Sequence, residues 1–135
     1  MENVFVDTNI VIDLLQKRDE FYKEAQELFT LADRKKVKLY ISALTFANTY
    51  YILSRFYSSD EAKKILSKFK VLVDVLPTTD KIIELALASD FKDFEDAIQF
   101  YTALENNSEA IITRNKKDFK NNLIPVFSAK EYLNK

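Results

Sequence analysis

The sequence predicts an α/β domain of three layers, α/β/α, built on a five-stranded, mostly parallel sheet. Short β-branched and aromatic runs alternate with longer stretches of helical periodicity along the chain. Strands separated by helices are joined by crossovers, which favours parallel pairing with both sheet faces covered. The length of 135 residues is near that of one domain, so a single domain over residues 1–135 is expected.

The elements follow in chain order. Val4 to Val6 is the first strand, after which Thr8 and Asn9 offer caps for a helix running to about Gln16. A second helix spans roughly Glu20 to Lys35, and its end, Asp33-Arg34-Lys35-Lys36, places cations where the helix dipole favours them. Lys38 to Ser42 is the second strand. One helix begins near Leu44 and another after Ser59 and Asp60, with Ala62, Ile65, Leu66 and Phe69 at helical spacing. Between them Tyr50, Tyr51, Phe56 and Tyr57 suit core packing, with a base-stacking or partner surface as the alternative. Val71 to Leu76 is the third strand. Thr78 to Asp80 caps a helix bearing Ile82, Ile83, Leu85 and Ala86, and Asp93 caps the next, with the apolar stripe Phe94, Ala97, Ile98, Tyr101 and Leu104. Ala110 to Thr113 and Pro125 to Phe127 complete the five strands.

The residues that are missing narrow the chemistry. The chain has no Cys, no His and no Gly. Thiolate nucleophiles, zinc knuckles and Ser-His-Asp triads are therefore excluded, and glycine-rich phosphate loops lack the residue they require. Carboxylates remain, and hard oxygen donors select Mg²⁺ or Mn²⁺. A net charge of −1 gives no overall attraction to nucleic acid, so a polyanion would need a local basic patch. No apolar run approaches the roughly 20 residues of a bilayer span, and the start MENVFVDTN lacks the basic and apolar regions of a secretory signal. A cytoplasmic protein with no membrane contact is expected.

In open parallel sheets ligands bind beyond the carboxyl ends of the strands, and three acidic segments fall there. Asp7 ends the run Val4-Phe5-Val6 directly before a helix, where its position suits a helix cap and a ligand-binding acid equally. Asp93, Glu95 and Asp96 crowd the first turn of another helix, where capping and the helix dipole account for Asp93 and Glu95. Asp96 lies beside the apolar stripe, and a half-buried carboxylate there points to a cation. Asp118 follows the fourth strand among Arg114, Lys116, Lys117 and Lys120, which supply the local basicity that the whole chain lacks.

Taken together, Val6-Asp7-Thr8-Asn9, Ser42-Ala43-Leu44-Thr45-Phe46-Ala47-Asn48, Asp93-Phe94-Glu95-Asp96-Ala97 and Thr113-Arg114-Asn115-Lys116-Lys117-Asp118-Phe119 resemble the PIN-domain family. The resemblance spans nearly the whole chain in the family's order and implies the strand order 3-2-1-4-5. Small members similar to the VapC type are toxins of toxin-antitoxin pairs that cut RNA with Mg²⁺ or Mn²⁺. It thus implies an RNA substrate, an antitoxin partner and a divalent ion, and leaves a homodimer open. Carried over, Asp7 is the first metal-binding acid, Asp96 the third, and Asp118 with Asn115 the fourth. Thr113 would orient a ligand, while Arg114, Lys116 and Lys117 would hold flanking phosphates. The family's usual Glu is Asn48 here, a weaker ligand. The alternative is a catalytically weakened binding module for RNA or protein. A receiver-like signalling domain is more distant, because only one acid follows Val6.

Overall fold

A computed structural model describes residues 1–135. Five strands, β1 (Glu2–Val6), β2 (Val37–Ser42), β3 (Asp74–Leu76), β4 (Ala110–Ile112) and β5 (Val126–Phe127), pair in the order β3-β2-β1-β4-β5. All four pairings are parallel, with Val4 opposite Leu39 and Ala110, and Phe5 opposite Tyr40 and Ile111. Seven helices flank the sheet: α1 (Thr8–Leu15), α2 (Tyr22–Asp33), α3 (Ala43–Leu53), α4 (Ser59–Lys70), α5 (Asp80–Leu87), α6 (Phe94–Glu105) and α7 (Ala129–Leu133).

The period-2 alternation of side chains divides the core between the two faces of the sheet. Val4 and Val6, with Leu39, Ile41, Ala110 and Ile112, pack against α1, α2 and α7. Phe5 and Ile111 face the other way, onto Phe100 and Ala103 of α6, Phe119 and Ile124. Every side chain of Val4, Phe5, Val6, Ile111 and Ile112 is thus buried, as expected when helices cover both faces.

Several boundaries differ from the sequence expectation. Of the three caps the sequence offers at α1, Asp7 and not Thr8 or Asn9 is the N-cap, accepting from the Thr8 backbone N–H at 2.8 Å. The third strand begins at Asp74, because Val71 and Leu72 close α4 through turn hydrogen bonds, and Val71 is left exposed. Thr113 lies just outside β4 but keeps a ladder-like bond to the Phe127 carbonyl. Phe94 is 45% exposed, and the inner face of α6 carries Gln99 and Thr102 instead. Tyr51, Phe56 and Tyr57 are also exposed rather than packed in the core. A 3₁₀ turn over Lys116–Phe119 and the terminal α7 are elements that the periodicity did not indicate.

The absence of glycine has a backbone consequence. Lys17, Lys35 and Asn107 take positive φ (51°, 59° and 57°) one residue past the caps of α1, α2 and α6. Each closes a Schellman motif; after α1, Lys17 N–H donates to the Leu14 carbonyl and Arg18 N–H to that of Asp13. The left-handed region costs roughly 1–2 kcal/mol for a residue with a Cβ. The two hydrogen bonds at each helix end offset that strain, and the first motif turns Arg18 back toward Asp13.

Candidate active site

The β1 and β4 strand ends lie side by side at the point where the strand order reverses, the usual place for a ligand in an open α/β sheet. Asp7 leaves β1 there and is only 5% exposed. Its Oδ1 accepts from Thr8 N–H and from Gln99 Nε2 (3.2 Å), and its Oδ2 accepts from the Thr113 hydroxyl (2.8 Å). Burial raises the Asp7 carboxyl above its ordinary value, with the Thr113, Gln99 and Thr8 donors acting in opposition.

Gln99 is the residue that sequence reasoning missed. Its Oε1 accepts from Ser42 Oγ at 2.5 Å, and its Nε2 donates to Thr45 Oγ1 at 2.8 Å as well as to Asp7. Holding the carbonyl at Ser42 turns the amide N–H groups toward the carboxylate. Ser42 at the end of β2 also caps α3 through Thr45, so one buried polar network ties β1, β2, α3 and α6 beneath Asp7. The available signal was a lone amide between Ile98 and Phe100 in an otherwise apolar stretch.

A cleft of about 320 Å³ opens over this network. Asp7, Asp96 and Asn115 line it, together with Asp93 and Glu95, which the sequence explains as caps. Asp93 is indeed the α6 N-cap, accepting from Asp96 N–H at 3.0 Å. Asn48 lines the same cleft and donates through Nδ2 to Glu95 at 3.5 Å. The one cationic side chain in the lining is Arg18, at 3.7 Å from the buried Asp13.

The remaining expected residues lie elsewhere. Asp118 and Lys117 line an adjoining cleft, which shares Asp93 with the first. Lys116 pairs with Glu131 at 2.8 Å. Arg114, expected to hold phosphate, makes a bidentate pair with Asp13, Nε to Oδ2 at 2.8 Å and Nη2 to Oδ1 at 3.1 Å, and stacks on Phe21 at 4.1 Å. Asp13 is 1% exposed, so this guanidinium neutralises a buried carboxylate. A single acid amid Ile10, Val11, Ile12, Leu14 and Leu15 was its sequence signal.

Burial, followed by the negative charges of Asp7, Asp93, Asp118 and Glu95, pushes the Asp96 carboxyl up to about 7. The folded chain then binds more protons than the unfolded chain between the ordinary 3.8 and about 7, so this residue's contribution to stability falls as pH rises through that window. With a chelator present, the melting-temperature advantage of Asp96→Asn over the parent should therefore grow from about pH 4 to about pH 8. A difference that stays constant across this range refutes the titration.

No three carboxylates converge into a closed cage for an ion. The donors are nevertheless all hard oxygens, and Mg²⁺ typically keeps several waters and takes only one or two carboxylates plus substrate phosphate. The excess of acid over base in the cleft suits such a cation.

The fold and the site define a family. A profile of the PIN domain matches residues 3–117, and the chain belongs to the PIN-domain family. It is 30% identical to Ribonuclease VapC1 of Aquifex aeolicus over 139 residues, 97% of this chain and 93% of that protein. Among solved structures, a toxin-antitoxin complex from Klebsiella pneumoniae superposes with a TM-score of 0.71 at 25% identity, over 93% of this chain and 97% of that one. DNA-bound VapBC from Salmonella typhimurium shares the fold, with a TM-score of 0.71 at 16% identity over 96% and 99% of the two chains.

Proposed function

We propose that the protein is a divalent-metal-dependent endoribonuclease acting as the toxin of a toxin-antitoxin pair. The observation that carries the reading is Asp7, buried at the β1–β4 switch, gripped by Thr113 and Gln99, and opening into an acidic cleft with Asp96. The similarity to Ribonuclease VapC1 over nearly the whole chain supports RNA as the substrate. The solved toxin-antitoxin complexes support a protein partner, and the exposed Tyr51, Phe56 and Tyr57 offer apolar surface of the kind that partners cover.

Asp7 and Asp96 would hold Mg²⁺ or Mn²⁺, with the Asn115 amide oxygen in the same cleft and Asp118 reaching from the adjoining one. The bound ion supplies an activated water and charge stabilisation at the scissile phosphate. Thr113 and Gln99 fix the Asp7 carboxylate, so it does not have to reorganise when substrate arrives. Thr8 N–H and Gln99 occupy Oδ1, whereas Oδ2 has the Thr113 hydroxyl as its only donor and thus the greater remaining acceptor capacity.

Asn48 favours a second reading, a binding module that has lost catalysis, because a neutral amide stands where the family usually has Glu. One experiment separates the two. Purified protein is incubated with single-stranded RNA and Mn²⁺ or Mg²⁺, with and without chelator, beside Asp96→Asn. Cleavage that stops with chelator and is lost in Asp96→Asn is the expected outcome. RNA that is bound but left uncut with metal present would establish the binding module.

A further inference from the structure

A second cleft, of about 680 Å³, adjoins the acidic one and shares Asp93 with it. The segment preceding α6 and the 3₁₀ turn with the loop that follows it form its sides. Lys92, Lys117 and Lys120 line it, and none of the three is among the lysines engaged in ion pairs, Lys38, Lys81, Lys116 and Lys135. Tyr101 and Leu123 add an apolar wall, and Leu123 is exposed.

Charge is graded across the pair of clefts. The second cleft sets Lys92, Lys117 and Lys120 beside the acids Asp90, Asp93 and Asp118, and of these acids Asp93 and Asp118 act electrostatically on Asp96 in the first. The three lysines have no counterpart in the first cleft, where Arg18 is the lone cation. The acidic cleft repels a polyanion except where a bound cation intervenes, and the net charge of −1 gives no long-range attraction to help. An adjoining concave site with unpaired ammonium groups and an apolar wall has the chemistry of a subsite for a nucleotide in single-stranded nucleic acid.

Resting on the ribonuclease reading, we propose that this second cleft holds the nucleotide next to the scissile phosphate, with Lys92, Lys117 and Lys120 on its phosphates and Tyr101 and Leu123 against its base. Lys117 thus keeps the phosphate role expected from the sequence, while Lys92 and Lys120 take the places of Arg114 and Lys116. Contacts of this kind add affinity for any sequence and release counterions.

The test compares the parent, Lys92→Ala/Lys120→Ala and a control, Lys64→Ala/Lys68→Ala on α4. Each binds a labelled single-stranded oligoribonucleotide over a salt series in Ca²⁺, with cleavage then followed in Mn²⁺. The cleft variant should bind about tenfold more weakly and lose about 1.4 from the slope of log affinity against log salt, since each phosphate contact on a single strand contributes roughly 0.7. The control should match the parent, and Mn²⁺ affinity measured without RNA should be equal in all three. A cleft variant with the parent's affinity and slope overturns the subsite while the parent's cleavage leaves the ribonuclease reading standing. A parent that neither binds nor cuts RNA overturns both.

Discussion

Asp7→Asn is expected to lower RNA cleavage by on the order of 100-fold or more while the fold persists. The substitution removes one charge from the acidic cleft and keeps the shape of the side chain. Its amide oxygen can still accept from Thr8 N–H and Gln99 Nε2. The Thr113 hydroxyl fares worse: it donates to Oδ2 and already accepts from Asn115 N–H (3.0 Å) and Asn9 Nδ2 (3.3 Å), so a new amide N–H meets a crowded oxygen. Opposing this, the raised Asp7 pKa means that the ionised carboxylate is disfavoured in the metal-free fold above its ordinary titration range, and a neutral side chain removes that penalty. Cleavage should therefore fall far more than the melting temperature. Side-by-side thermal melts, Mn²⁺ titration and RNA cleavage test this. Cleavage at the parent's rate would remove Asp7 from the catalytic site.

Arg114→Met should give the largest loss of stability, roughly 3 kcal/mol, or a melting temperature lower by about 10 °C for a chain of this size. Methionine retains much of the apolar stem over Phe21 but leaves Asp13 buried with only the 3.7 Å contact to Arg18. Removing one partner strands the other charge, and the cost of that exceeds what the pair contributed. Arg114→Lys should recover only part of the loss, because a point charge cannot make the bidentate fork. Asp13→Leu combined with Arg114→Met should be more stable than Arg114→Met alone, since the buried charge has gone. An Arg114→Met protein that melts like the parent but binds RNA more weakly would return Arg114 to the phosphate-binding role expected from the sequence.

Both predictions turn on residues whose roles were unequally visible in the sequence. The place of Asp7 at the strand rim, as distinct from its role, was legible because an acid directly after an apolar strand and before a helix can occupy few places in a parallel α/β fold. Asp13 and Gln99 were not, since periodicity reports which side of a helix is buried but not which polar group waits on the other side. Asp13 is satisfied by a residue 101 positions away, and Gln99 by one 92 positions away. Helix caps were read to within a residue or two, because Ser, Thr and Asp compete locally for the first free N–H groups. The Val71–Leu72 pair was misassigned to a strand since β-propensity is local, while the closing turn of α4 and the edge position of β3 are set by packing.

The sequence by itself determined the layered α/β class and the alternation of strands with helices. Its lack of Cys, His and Gly left carboxylates to carry any chemistry, and its acidic segments together with the family resemblance pointed to Asp7, Asp96 and Asp118, with Asn115, as one site. The fold class and the chemistry rest on hydrophobic period, capping chemistry and residue inventory, which act over a few positions, while the full site set rests on the resemblance. Only the tertiary structure decided which cations were free. Arg114 was drawn inward because a buried carboxylate on α1 demanded a partner, and Lys116 was drawn across to Glu131 on α7. Lys92, Lys117 and Lys120, brought together from segments on either side of α6 and β4, were left facing a common cleft. Charge pairing is settled by distance and burial in three dimensions, and a linear pattern of basic residues carries neither.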